Sequence, residues 1–176
     1  MDPIPELRLL LSTDRLMALG PGKPDVAAMP LLQQLEATLL GRARDRNAAL
    51  ACLAGLWLLH DFLDESHSIS QDLATTEGSY WHGIMHRREP DYWNAKYWFR
   101  RVPTHPIHGE LQQASLSLAI EAGCDVIPVN ARWDAPAFVD LCERAVSGGA
   151  ALELLCRRIQ QREWELLFHY CHARAF

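Results

Sequence analysis

The chain has 176 residues, the usual length of one domain and enough to bury a hydrophobic core. Hydrophobic residues make up 49% of it and charged residues 22%, a composition that excludes a disordered chain. The formal net charge of −5 argues against a general nucleic-acid binder, because such domains usually carry a basic excess. No run approaches the roughly 20 apolar residues that a membrane-spanning helix needs. We therefore expect one domain over residues 1–176 that does not enter a membrane.

The cysteines favour a reducing compartment. There are five of them, an odd number, and no two have the CxxC spacing of a structural zinc site. The N-terminal residues Met-Asp-Pro-Ile-Pro-Glu lack a basic segment followed by a long apolar run, so we expect no signal peptide. These observations predict a cytoplasmic protein, and they leave a homo-oligomer open.

Apolar residues at helical spacing recur along the chain, and the Val/Ile/Thr-rich alternation of strands is absent from the sequence. We expect residues 1–26 to form an irregular leader with one short helix at 7–11. The pattern of caps and breakers then predicts seven further helices, at 27–40, 46–70, 78–88, 91–101, 107–122, 134–148 and 150–172. The sequence therefore predicts an all-α fold, a single-domain bundle of six to eight helices with the helix of about 46–70 at its centre.

The predicted helix 46–70 has the most informative pattern. Successive residues turn by about 100°, which places seven side chains in one stripe: Leu53, Leu56, Trp57, His60, Asp64, His67 and Gln71. The stripe begins apolar and becomes polar, and a second apolar stripe lies opposite, so the helix is expected to be buried. Helical proteins build metal and catalytic sites from His and carboxylate groups at such spacing. A buried structural hydrogen-bond network is the alternative.

His82 and His86 form a second pair, four residues apart on the predicted helix 78–88. A short connection joins this helix to 46–70, so we expect two antiparallel neighbours that bring their histidines together. The candidate metal ligands are His60, Asp64, His67, His82 and His86, and a divalent transition metal is the candidate cofactor. Since histidine exchanges protons near pH 7, the candidate catalytic residues are His60, Asp64, His67 and His86.

The segment 87–101 interleaves cations with aromatic rings. Arginine binds phosphate or carboxylate groups through two parallel hydrogen bonds, and aromatic rings stack on nucleobases. The candidate ligand-binding residues are Arg87, Arg88, Lys96, Tyr97, Arg100 and Arg101. Arg88 falls in an apolar stripe, where we expect it to meet a carboxylate or an anionic ligand. In the alternative, the aromatics pack in the core and the cations extend to water.

Residues 78–102, GSYWHGIMHRREPDYWNAKYWFRRV, resemble a family of uncharacterised helical proteins from bacteria and fungi. The resemblance implies no catalytic role for any residue, because no activity is established for that family. Within the segment, residues 91–102 resemble the second helix of a tetratricopeptide-type hairpin. That second resemblance implies an interaction module.

Three functions stay open from the sequence. The preferred one is a small helical enzyme with a buried His/carboxylate centre, with or without a metal, that performs proton transfer or hydrolysis on an anionic small molecule. The second is a tetratricopeptide-like interaction module without chemistry. The third is RNA or nucleotide binding through residues 87–101, although the net charge disfavours nucleic acid and the sequence has no Gly-rich phosphate loop.

Overall fold

The computed structural model describes residues 4–13 and 15–176; residues 1–3 and 14 of the expected leader lie outside the described residues. The described residues form nine α-helices and no strand, which confirms the all-α prediction. The helices are α1 Pro5–Leu11, α2 Met29–Arg42, α3 Arg46–Leu59, α4 Leu63–Asp72, α5 Thr76–Arg88, α6 Tyr92–Phe99, α7 His108–Glu121, α8 Ala135–Ala145 and α9 Ala150–Ala175. Their number exceeds the predicted range by one because two helices occupy the segment 46–70.

The helices α3 and α5 form the centre of the bundle. The side chains of α3 are buried from Ala51 to Leu59, and those of α5 from Gly78 to Arg88. Around α3 pack α2, α4, α5 and the 26-residue α9, while α5 also packs against α4 and α6. In the part of the chain that the structure describes, no helix is long and apolar enough to cross a membrane.

Side-chain caps determine where several helices begin. Asp45, Thr75, Asp91 and Asp134 each accept a hydrogen bond from the backbone N–H three residues further on. This bond satisfies one of the N–H groups that the first turn of a helix leaves without a partner. Caps are local signals, and for this reason the starts of α3, α6 and α8 agree with the predicted ones.

The predicted continuous helix 46–70 is wrong. The chain turns between α3 and α4, and at Asp61 the backbone is left-handed, with φ of +64°. A residue other than glycine in this conformation costs roughly 1–2 kcal/mol, so other contacts must hold it there. The turn takes His60 out of the stripe that contains His67, and the predicted stripe of seven side chains does not form.

A Schellman motif ends α3. The N–H of Phe62 donates to the Trp57 carbonyl at 2.9 Å, and the N–H of Asp61 donates to the Leu58 carbonyl at 3.2 Å. The rings of Phe62 and Trp57 pack edge to face with their centroids 5.3 Å apart, which supplies the hydrophobic contact that usually accompanies the motif. Asp61 takes the position that glycine usually has.

The Asp61 carboxylate is buried in a set of ionic and backbone contacts. It accepts hydrogen bonds from the guanidinium groups of Arg88 and Arg15, and from the Lys23 backbone N–H at 3.1 Å. Gly22 lies against the carboxylate with φ of +74°, and a Cβ at that residue would approach the Asp61 Cγ to 2.5 Å. The contacts attach the leader to the turn between α3 and α4.

The Arg88 guanidinium is fully buried and is satisfied by the protein itself. Besides Asp61, it donates to the carbonyl of Leu58 at 2.7 Å and to those of Ala18, Gly20 and Pro21 at 3.1–3.3 Å. Burial lowers the pKa of Arg88, whereas the Asp61 carboxylate acts in the opposite direction. Arg88 is therefore a structural cation, and of the two partners expected for it the structure shows the carboxylate.

We expect Asp61→Asn to lower the free energy of unfolding by about 3 kcal/mol, measured by urea denaturation. Asparagine keeps the shape of the side chain and tolerates the left-handed backbone, so the change removes only the charge and leaves a buried arginine unpaired. The matched control is Asp140→Asn, which breaks an ion pair with Lys96 at the surface and should cost less than about 1 kcal/mol. Equal losses would contradict the role of Asp61.

Candidate metal centre

Three of the predicted histidines converge between α4 and α5. His67 extends from α4, and His82 and His86 extend from successive turns of α5. Each offers one ring nitrogen to a group whose atoms all lie within 4.8 Å of one another. The rings of His82 and His86 stack at 4.6 Å, and His67 meets both of them edge to face. This trio, called the His centre below, can hold a metal ion.

His82 has an unusual environment for a polar side chain. It is only 3% exposed, and among the described residues neither of its ring nitrogens has a hydrogen-bond partner. Burial, together with His86 and His67, lowers the pKa of His82 to about 3, so the ring is neutral at pH 7. Leaving a buried polar atom without a partner costs about 1–3 kcal/mol. A neutral imidazole with a free lone pair is the form that binds a metal.

His86 has a carboxylate on one side of its ring. Its Nδ1 lies 3.0 Å from an oxygen of Glu89, one turn later, and its Nε2 lies 3.0 Å from the side-chain nitrogen of Asn94 on α6. An acceptor at Nδ1 places the proton there, which leaves the lone pair on Nε2. Metal-binding histidines are commonly oriented by a carboxylate in this way. Binding at Nε2 requires the Asn94 amide to turn aside.

His67 and Trp98 complete the walls of the His centre. His67 is half-buried and is the most accessible of the three histidines. The indole of Trp98, on α6, stacks on His82 with centroids 4.0 Å apart. Stacking fixes the plane of the His82 ring, and the exposed side of His67 leaves a route by which an ion or a small molecule can enter.

Two of the predicted ligands do not join this group. His60 lies at the end of α3, where its Nδ1 is 3.2 Å from the Asp25 carboxylate and its Nε2 is 3.2 Å from the Leu10 carbonyl. Asp64 lies in the first turn of α4 and is exposed to solvent. Both predictions assumed an unbroken helix, so the turn at Asp61 removes their basis. Through these two contacts, His60 helps to hold the leader against the end of α3.

The basic segment divides into a buried and an exposed part. Arg87 is fully buried, like Arg88, and donates to Glu163 at 2.5 Å and to Gln160 at 3.3 Å. It also lies over the ring of Phe138, with its Cζ 4.7 Å from the centroid. Arg87 thus pairs with a carboxylate of the protein, although its Nε and Nη1 have no hydrogen-bond partner among the described residues. Because Arg87 and Arg88 are both buried, they give no support to nucleic-acid binding.

The other predicted ligand-binding residues lie nearer the surface. Lys96 pairs with Asp140, whereas Tyr97, Arg100 and Arg101 are exposed. The Arg101 guanidinium lies over the ring of Trp98, 5.4 Å from its centroid. Arg101 is thus one indole ring away from His82, which brings one of the predicted anion-binding cations close to the His centre.

Sequence reasoning missed the residues that support the three histidines. Glu89 stands three residues after His86, a spacing that places both on one helix face and would have identified it. No comparable signal marks Asn94 or Trp98, because they reach the His centre from another helix. Their role depends on how α6 packs against α5.

Comparisons of the chain with protein-family models, with curated proteins and with solved structures find no match. The likeness of residues 78–102 to a helical family, and of residues 91–102 to the second helix of a tetratricopeptide-type hairpin, therefore stays a prediction.

We expect His82→Phe to leave the metal-free protein at least as stable as the wild type, with a gain of about 1 kcal/mol in urea denaturation with a chelator present. Phenylalanine keeps the stack on Trp98 and removes two unsatisfied polar atoms, and slight overpacking limits the gain. In the control, His86→Phe removes the contacts with Glu89 and Asn94 and should cost about 1 kcal/mol. Equal destabilisation by both substitutions would show that His82 has a structural role.

Proposed function

We propose that the His centre binds one divalent transition-metal ion, and that the protein is a small helical metalloenzyme acting on an anionic small molecule. The observation that supports this most is His82, a buried neutral imidazole whose nitrogens have no partner among the described residues. Such a group destabilises a protein unless something binds to it. The neighbouring nitrogens of His67 and His86 make a metal ion the best candidate.

The donor set favours a metal of the zinc type. Imidazole nitrogens suit Zn²⁺, Cu²⁺, Fe²⁺ and Ni²⁺, and zinc binds them at roughly 2.0–2.1 Å. The three nitrogens lie within 4.8 Å of one another, so modest ring rotations would bring them onto one ion. Three protein ligands leave the fourth position of a tetrahedral ion for water or substrate, as in catalytic zinc sites.

Three neutral ligands also determine the charge of the centre. Because the histidines contribute no negative charge, the ion would keep its full double charge and attract an anionic group. A zinc ion of this kind lowers the pKa of its bound water to about 7, which supports hydrolysis at neutral pH. Without a metal, His86 oriented by Glu89 is the residue best arranged to accept a proton.

The experiment is a titration of the chelator-treated protein with Co²⁺, whose visible absorption reports the number and geometry of its ligands. We expect one ion per chain and a tetrahedral spectrum. His67→Ala, His82→Ala and His86→Ala should each weaken binding by more than about 100-fold, since even an outer-shell partner is worth 10–100-fold. The matched control is His169→Ala, an exposed histidine of α9 outside the group.

Two further measurements complete this test. Zn²⁺ in excess should raise the melting temperature of the wild type, because an ion that binds only the folded chain stabilises it by mass action, but not that of His82→Ala. The loaded wild type should also hydrolyse para-nitrophenyl phosphate, an anionic chromogenic probe, faster than the chelated protein. Equal Co²⁺ binding by wild type and His82→Ala would overturn the metal centre.

We expect Glu89→Gln to weaken Co²⁺ binding by about tenfold or more while changing the free energy of unfolding by less than about 1 kcal/mol. Glutamine occupies the same space but lacks the charge that makes the His86 imidazole a stronger ligand. Glu165→Gln on α9, which removes a half-exposed pair with Arg162, is the control for a lost surface charge. An unchanged affinity in Glu89→Gln would exclude a supporting role for this carboxylate.

An interaction module without chemistry is the second candidate, and one observation favours it. Trp93 is 72% exposed on α6 and stacks against the exposed ring of Tyr97, with centroids 6.3 Å apart. Exposed large apolar side chains in contact are typical of binding surfaces. This function requires no metal, so a protein that binds neither Co²⁺ nor Zn²⁺ would favour it.

A further inference from the structure

A cleft of about 740 Å³ lies beside the His centre. It is called the α5 cleft below, because the N-terminus of α5 forms one wall. The ends of α4, α6 and α9 and the segment 104–106 before α7 contribute the others. Ligand sites for small molecules commonly have volumes of roughly 300–1,000 Å³. The cleft is therefore large enough for a metabolite and too small for a folded domain.

The α5 cleft and the His centre share their supporting elements. Gln71 lines the cleft one turn after His67 on α4, and Ser79 lines it one turn before His82 on α5. The indole of Trp98 lies in the wall of the cleft and stacks on His82. A molecule in the cleft is thus separated from the His centre by the indole ring of Trp98.

His105 lines this cleft and carries a buried hydrogen-bond donor without a partner among the described residues. Its side chain is 1% exposed, and its Nδ1 accepts a hydrogen bond from the Ile107 N–H at 3.4 Å, which places the ring proton on Nε2. Within the described residues this Nε2 has no hydrogen-bond partner, and the nearest carboxylate oxygen, of Glu77, is 3.9 Å away. Burial lowers the pKa of His105 to about 4, so the ring is neutral at pH 7. A ligand oxygen would satisfy this donor.

Two arginines give the α5 cleft positive charge. The Arg101 guanidinium lies 5.4 Å from the Trp98 centroid, and the Arg174 guanidinium lies 5.5 Å from that of Tyr170. Arg174 also donates to the Tyr170 hydroxyl at 3.0 Å and is 3.7 Å from the Asp45 carboxylate. Both side chains are exposed but held over aromatic faces, which limits the freedom they would lose on binding an anion.

The first turn of α5 adds backbone donors to these charges. Thr75 caps Gly78, which leaves the N–H groups of Thr76 and Glu77 without partners inside the helix. Such N–H groups and the helix dipole attract phosphate groups. Glu77 weakens this attraction with one negative charge. The two arginines and the positive end of the helix act in the opposite direction.

We propose that the α5 cleft binds the phosphate group of a small phosphorylated compound and is the substrate subsite of the His centre. The assignment to a substrate rests on the proposed metal centre, whereas the phosphate binding does not. Phosphate fits better than carboxylate because it offers three acceptor oxygens and a charge of about −1.5 to −2. The donors come from three sides: Arg101, Arg174, and the neutral His105 with the start of α5.

The test is calorimetric titration of the metal-free protein with inorganic phosphate and, separately, with acetate. We expect phosphate to bind at least tenfold more tightly than acetate. Arg101→Gln and Arg174→Gln should each weaken phosphate binding about tenfold, and Glu77→Gln should strengthen it several-fold by removing the opposing charge. The matched control is Arg100→Gln, the exposed neighbour of Arg101 that does not line the cleft, which should change the affinity less than twofold.

Several results would overturn the phosphate site. Equal losses in Arg100→Gln and Arg101→Gln would show general charge attraction only, and equal binding of acetate would exclude the phosphate assignment. Weaker binding in Glu77→Gln would place the anion elsewhere. His82→Ala should bind phosphate like the wild type in the metal-free state, so failure of the metal centre and failure of the phosphate site give different results.

Discussion

One buried ion pair determines how the bundle is assembled. Asp61 holds a left-handed backbone at the end of α3, and Arg88 at the end of α5 neutralises its carboxylate. A guanidinium taken fully out of water needs all its donors satisfied, and the leader carbonyls supply the remaining acceptors. The turn that this pair maintains gives α4 its direction. The direction of α4 in turn brings His67 to the two histidines of α5.

The helix α5 carries both Arg88 of the buried ion pair and two histidines of the His centre. His86 and Arg88 are two residues apart, so they point to opposite sides of the helix. One side meets the leader and the other meets the His centre. The arrangement has a cost, because α5 is buried on all sides and has to find a partner for every polar group. Arg88 finds its partners in the protein, whereas among the described residues Arg87 finds them for only one of its three nitrogens and His82 for neither of its two. The His centre is therefore one of the places where the described part of the chain gives up stability.

The sequence predicted most helix boundaries because their signals are local. Asp45, Asp91 and Asp134 cap their helices through bonds that span three residues. The break at Asp61 could not be predicted in this way, since no glycine or proline marks it. Its left-handed backbone is stabilised by Arg88 and Arg15, which are 27 and 46 residues away in the chain. A tertiary contact overrode the local pattern.

The difference between local signals and tertiary contacts also explains which residues of the site were predicted. His82 and His86 follow from helical spacing, and His67 from the neighbouring helix, so three of the five predicted ligands meet. A sequence shows that a cation lies in an apolar stripe, but not whether its partner is a ligand or a carboxylate of the protein. This is why the carboxylates that pair with Arg87 and Arg88 could not be named from the sequence. The α5 cleft was missed because distant segments form it.

The long reach of the arginine contacts also affects the entropic cost of placing the leader. The leader carbonyls that Arg88 binds lie 67–70 residues earlier in the chain, and Arg157 binds those of Leu16 and Met17 across 141 and 140 residues. Contacts so distant in sequence form only after the entropy of closing long loops has been overcome, whereas helices and their hairpins form early. The contacts that place the leader therefore carry a loop-closure cost, as does the bond that the Trp164 indole N–H donates to the Gly55 carbonyl across 109 residues.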